Sequence, residues 1–104
     1  IISFSGMNAQ RGYLGASAVS VAKHGVWGLT KALAVEFGPS GVTANIISPG
    51  TFPSVDSAEA TDPKLIRLRQ ENPTRRLGGT ENIGGMVSYL CSDSGGLTLR
   101  GILR

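Results

Sequence analysis

Lys23 lies in the run "VSVAKHG", four residues after Val19, so the two side chains stand one turn apart on the same face of a helix. Most of that face is apolar, and a cation at its margin needs a reason. On periodicity alone the simplest is snorkelling, with the four-carbon stem along the core edge and the ammonium in water. A second group of charges, Arg67, Arg69, Arg75 and Arg76, supplies part of the net charge of +3. Without interleaved aromatics or a binding motif it reads as a solvated loop and helix face, and no nucleic-acid partner is expected. Cys91 is the only cysteine, which excludes an internal disulfide and a cysteine metal cluster and suits a reducing cytoplasm. No metal site is expected.

These residues must be positioned by elements of two periods. Residues 1 to 5, "IISFS", are β-branched and aromatic and stop before Gly6, as a short buried strand would. From about Ala16 the period becomes helical, with Val19, Ala22, Val26, Leu29, Leu33 and Phe37 spaced by three or four, and Gly38-Pro39 predicts its end. "VTANIIS", residues 42 to 48, is a continuous β-prone run suited to a strand covered on both faces of a parallel sheet. Asp62-Pro63 predicts a helix start, with an N-cap followed by a first-turn proline. A last helix is expected from Thr80, with Ile83, Met86, Val87, Leu90 and Cys91 as its buried stripe, and "LTLRGILR" reads as a partial strand.

Strand, long helix, strand, irregular segment, helix and partial strand in that order predict an α/β fold, the C-terminal half of a doubly wound parallel sheet. A chain of 104 residues, 40% hydrophobic and 16% charged, is at most one globular domain. It opens on Ile1 inside one apolar run and closes on Arg104 inside another, which is the expectation for a fragment truncated at both ends. No stretch approaches the roughly 18 consecutive apolar residues of a membrane span, and no cleavable leader opens the chain. A soluble, cytoplasmic protein is expected.

The stretch "ASAVSVAKHGVWGLTKALAVEFGPSGVTANIISPG", followed by "RRLGGTENIGGMVSYLCSD", resembles the C-terminal half of the short-chain dehydrogenase/reductases. A strand ending in serine, a helix with a Tyr-x-x-x-Lys motif, an "N-x-x-x-PG" strand end and a "GRLG-x-x-E" helix start recur in that family in this order. The resemblance implies a Rossmann-like, NAD(P)-dependent oxidoreductase that transfers hydride between nicotinamide and a carbonyl or alcohol. In such a site the tyrosine exchanges the proton, the lysine holds the nicotinamide ribose and lowers the tyrosine's pKa, and the serine polarises the substrate oxygen. An ammonium beside a phenol favours phenolate, moving a pKa of about 10 toward working pH.

Carried over residue by residue, Lys23 matches the motif lysine and is the candidate catalytic residue. The tyrosine position is Val19, and the serine position, thirteen residues earlier, is Gly6. Valine exchanges no proton at any pH. Two neighbours are candidate substitutes. Ser5 adjoins Gly6, although strand alternation aims it at the opposite face unless the strand end bulges. Tyr13 lies in the loop "RGYLG", where the family often carries a substrate-loop aromatic. His24, five residues beyond Val19, is about 140° around the helix and faces packing or solvent.

On the cofactor side, Pro49 and Gly50 match the family's Pro-Gly at a strand's C-terminal end, where open α/β sheets bind ligands. The resemblance makes Lys23, Pro49, Gly50, Thr51, Phe52 and Ser54 the candidate nicotinamide contacts, with Phe52 where a smaller aliphatic is usual. Asn45 matches a backbone-fixing asparagine. The resemblance also implies a homo-oligomer built through the 16–38 helix. Neither TG-x-x-x-G-x-G nor G-x-G-x-x-G occurs, so residues 1–104 constitute a partial NAD(P)-binding domain whose glycine-rich half would lie upstream. NAD or NADP is therefore expected to bind only a full-length parent. With both proton-handling positions replaced, a cofactor-binding pseudoenzyme or structural subunit is the alternative expectation.

Overall fold

The computed structural model describes residues 1–6, 12, 14–50, 52, 62–98 and 102–103; Tyr13, Thr51 and Ser54 lie outside the described residues. In chain order the elements are β1 (Ile2–Phe4), α1 (Ser17–Phe37), β2 (Asn45–Ile47), α2 (Pro63–Glu71), α3 (Thr80–Cys91) and β3 (Ile102–Leu103). The strands form one parallel sheet in the order β1-β2-β3, with Ile2 opposite Asn45, Phe4 opposite Ile47 and Ile46 opposite Ile102. This is the expected α/β architecture.

The central strand carries the core. Ala44, Asn45, Ile46, Ile47 and Ser48 are all buried, as an unbroken β-prone run between two covered faces requires. Ile47 shares a cavity with Ile83 and Met86 of α3, so this face of β2 looks toward α3. Side chains alternate along a strand, which turns Ile46 and Ser48 to the opposite face, where α1 packs across β1 and β2. Asn45 fixes backbone as expected, its Nδ2 donating to the Thr98 carbonyl at 2.7 Å and tying β2 to the approach of β3.

The face of α1 that meets the sheet departs from the predicted stripe. Ala16, Thr30 and Ala34 are buried, with Lys23, Val26, Trp27 and Leu33 half-buried, whereas Val19, Ala22, Leu29 and Phe37 are exposed. α1 carries apolar residues on more than one face, so a 3.6-residue period fits more than one of them. Small residues decide which one is used, because alanine and threonine let the helix approach the strands closely. α1 ends at Phe37 with Gly38 as its C-cap, as the Gly38-Pro39 pair predicts. Gly38 keeps helical angles, Gly38–Ser40 continue as a 3₁₀ turn, and the left-handed stop is Gly41, at φ 80°.

α2 begins as predicted, with Asp62 Oδ1 accepting from the Lys64 N–H at 2.9 Å and Pro63 in its first turn. α3 begins at Thr80, where Asn82 Oδ1 accepts from the Gly79 N–H at 2.8 Å. Leu90 is buried and Ile83, Met86 and Val87 are half-buried, but Cys91 is exposed, correcting its place in the stripe. One residue past Leu90 is about 100° around the helix, enough to leave the packed face. A 3₁₀ turn at Asp93–Gly95 then folds back on α3 so tightly that a Cβ at Gly95 would overlap the Tyr89 carbonyl and the Leu90 backbone. Backbone cannot yield as a side-chain tip can. Gly95→Ala is expected to cost about 1–3 kcal/mol, read as a lower denaturant midpoint at unchanged m-value.

Candidate functional site

The site is assembled at the C-terminal ends of two neighbouring strands. At the end of β1, the Lys23 ammonium reaches from α1 and donates to the Phe4 carbonyl at 3.1 Å. This bond answers the question of why a lysine stands at that margin: its stem is half-buried, and its head grips the last residue of β1. Ser5 and Gly6 follow immediately. The Ser5 N–H continues the sheet ladder to the Ile47 carbonyl at 2.9 Å, and its side chain is buried. By contrast, a Cβ placed on Gly6 meets nothing within 4 Å. The Ser5 hydroxyl is thus closed in, whereas the position at Gly6, where the family's serine belongs, is open.

Val19 stands one turn before Lys23 and is half exposed. It offers no hydrogen-bonding group. His24, also on α1, is exposed and its Nδ1–H donates to the Ser20 carbonyl at 2.8 Å, within the helix's own backbone. Neither the imidazole nor any other described side chain takes the place of the absent phenol beside Lys23.

At the end of β2, Pro49 and Gly50 roof a cavity of about 210 Å³ whose floor is Ile47 with Ile83 and Met86 of α3. Phe52 closes one side. Gly50 is exposed, and a Cβ added there meets nothing within 4 Å, so a planar group could reach its backbone. The Phe52 ring is stacked where a Cβ on Gly78 would be, which turns it toward the loop before α3. A larger, more polar pocket of about 510 Å³ shares Gly50, Phe52 and Asn82 with this cavity and extends to Asn72, Thr74 and Arg76. The contributions of Gly78, Ile83 and Met86 were not read from sequence. The only signal was the Gly78-Gly79 pair between the arginines and α3, whose first glycine makes room for the aromatic ring.

A family profile described as Enoyl-(Acyl carrier protein) reductase matches residues 1–99. An acetoacetyl-CoA reductase of Rhizobium meliloti is 38% identical over 98 residues, spanning 92% of this chain and 40% of that protein. A mutant short-chain dehydrogenase/reductase from Serratia marcescens superposes with TM-score 0.85 at 29% identity, over 100% of this chain and 43% of the other. A blue fluorescent protein from a metagenomic library, solved in complex with NADPH, superposes with TM-score 0.86 at 27% identity, over 99% of this chain and 42% of the other. The chain therefore spans about two fifths of the length of the proteins it matches. With the profile match, the relatives and the strand-end site in agreement, the chain belongs to the short-chain dehydrogenase/reductase family.

Proposed function

We propose that the protein carrying this chain binds a nicotinamide dinucleotide, NAD or NADP, across the strand ends, and that residues 1–104 form the C-terminal part of its Rossmann-like domain. The observation that carries this reading is Lys23. Its ammonium is fixed at the end of β1 by the Phe4 carbonyl, and the neighbouring strand ends in an open Pro49-Gly50 turn. The residues fit the nicotinamide half of such a cofactor. Gly50 leaves its backbone accessible to a flat ring, the Ile47, Ile83 and Met86 floor is apolar, and an ammonium retains donors for ribose hydroxyls. When bound, the cofactor supplies the hydride that is exchanged with a carbonyl or alcohol carbon. The chain's own residues hold and orient it: Lys23 from α1, Pro49 and Gly50 from β2 and, by resemblance, Thr51, Phe52 and Ser54.

The acetoacetyl-CoA reductase among the relatives and the NADPH complex among the structures support this cofactor class and a small carbonyl or alcohol substrate. A homo-oligomer joined through α1 completes the reading, supported by the apolar residues that α1 leaves exposed. Among the described residues no helix is long and apolar enough to cross a membrane, and the proposed setting is the cytoplasm.

A second reading has its own observation. Val19 stands where the proton-exchanging phenol belongs, and Gly6 stands where the polarising hydroxyl belongs. A protein built this way holds cofactor and fold while lacking the groups that move the proton, so it acts as a cofactor-binding pseudoenzyme or structural subunit. Both readings require cofactor binding, which is the first thing to test. In the full-length protein, Lys23→Met is expected to weaken NADH or NADPH binding by about tenfold or more, as loss of a charge-assisted contact does. Fluorescence titration measures it. Equal affinity in both proteins would return Lys23 to the role of a surface lysine anchored on Phe4.

A further inference from the structure

Among the described residues, two buried hydroxyls have no hydrogen-bond partner, Ser5 Oγ and Ser48 Oγ. Both residues are more than nine-tenths buried, with Ser5 at 6% and Ser48 at 0% exposure. They are also neighbours. The parallel register pairs Phe4 with Ile47, and the Ser5 N–H bond to the Ile47 carbonyl carries the ladder one step further, which sets Ser5 opposite Ser48. Paired residues of parallel strands project to the same face, so both hydroxyls lie on the side of the sheet that α1 covers.

A buried hydroxyl without a partner forfeits its hydration for nothing, and two at adjacent positions are rarely left so. The hydroxyls do not bond each other. Neighbouring strands are roughly 4.8 Å apart, whereas two hydroxyl–water bonds of about 2.8 Å span up to roughly 5.5 Å. One water between them therefore satisfies both. A buried water commonly makes about three hydrogen bonds, and the ladder offers a third. At this register the Ser5 carbonyl would accept from residue 49, and Pro49 has no N–H to give.

We infer that Ser5, Ser48 and the Ser5 carbonyl form a binding site for a single internal water that joins the ends of β1 and β2. Its position gives it a task. Ser5 directly follows Phe4, whose carbonyl anchors Lys23, and Ser48 directly precedes the Pro49-Gly50 turn. The water locks together the two strand ends from which the candidate site is assembled.

The test is a high-resolution crystal structure of the full-length protein together with a double-mutant cycle by denaturant unfolding. Density for a water within hydrogen-bonding distance of both Oγ atoms is expected; a dry site would overturn the proposal. Ser5→Ala and Ser48→Ala should each lower the folding equilibrium constant by about two- to tenfold, with the double mutant little worse than either, because the two hydroxyls share one water. Ser48→Cys, which keeps the volume but bonds weakly, should behave as Ser48→Ala does. Single alanine mutants that are more stable than the parent, or losses that simply add, would mean that the hydroxyls are dry and independent, which overturns the inference.

Discussion

Gly6→Ser combined with Val19→Tyr is expected to raise nicotinamide-dependent carbonyl reduction in the full-length protein by about 10²–10⁴-fold, the usual contribution of a positioned general acid. The structure has room for both groups. A Cβ at Gly6 meets nothing within 4 Å, and Val19 is half exposed one turn from the Lys23 ammonium. A phenol placed there gains a cation on its own helical face, which favours the phenolate and brings proton exchange nearer to neutral pH. The serine would supply a hydroxyl to the substrate oxygen from the strand end that Lys23 already grips. Because the two groups act on one transition state, Val19→Tyr alone should recover part of the gain and Gly6→Ser alone very little.

Steady-state rates with NADH and with NADPH, on a generic ketone, measure this. A parent with little activity and a faster double mutant would favour the pseudoenzyme reading. A parent that is already fast, and that the double substitution slows, would mean that its chemistry runs through other groups. Ser5→Ala and Tyr13→Phe would then identify the donor. The Ser5 hydroxyl is 6% exposed, so a loss of rate in Ser5→Ala would require the strand end to open toward substrate.

The sequence conveyed element types and order well because each rests on a local signal. The continuous run at 42 to 48 contains the buried strand Asn45–Ile47, shorter than the run and with Val42 exposed, and Asp62-Pro63 marked the start of α2. Tertiary choices were less legible. Periodicity could not tell which apolar face of α1 meets the sheet, since the answer depends on the fit of Ala16, Thr30 and Ala34 against strands far away in sequence. The end of α1 is legible at Gly38-Pro39, whereas the 3₁₀ turn that leads on to the left-handed Gly41 is not, because "GPSG" holds two glycines and only geometry distinguishes them. Within the site, Lys23 and Pro49-Gly50 were visible through motif spacing. The Phe4 carbonyl that anchors the lysine was not, because backbone acceptors leave no mark on a sequence. The Ser5 and Ser48 pairing was equally hidden, as it arises from strand register alone.

Leu29→Glu is expected to dissociate the full-length protein into smaller species by weakening its self-association roughly a hundredfold or more. The basis is the face of α1 turned away from the sheet. Val21, Leu29 and Val35 are 75%, 57% and 64% exposed, and Ala18, Ala22 and Ala32 lie among them with Gly25 and Gly28. Glu36 borders this patch, seven residues after Leu29, and the exposed apolar and small residues around it would let a second helix approach closely. A symmetric dimer brings the same patch of each copy together, so one substitution adds two buried carboxylates to the contact beside those of Glu36, where like charges repel. Sedimentation at several protein concentrations reads the outcome, and Gln70→Glu, at an exposed position of α2, serves as the charge-matched control. An unchanged mass for Leu29→Glu at every concentration would show that this face of α1 is covered by something other than a second copy of the chain.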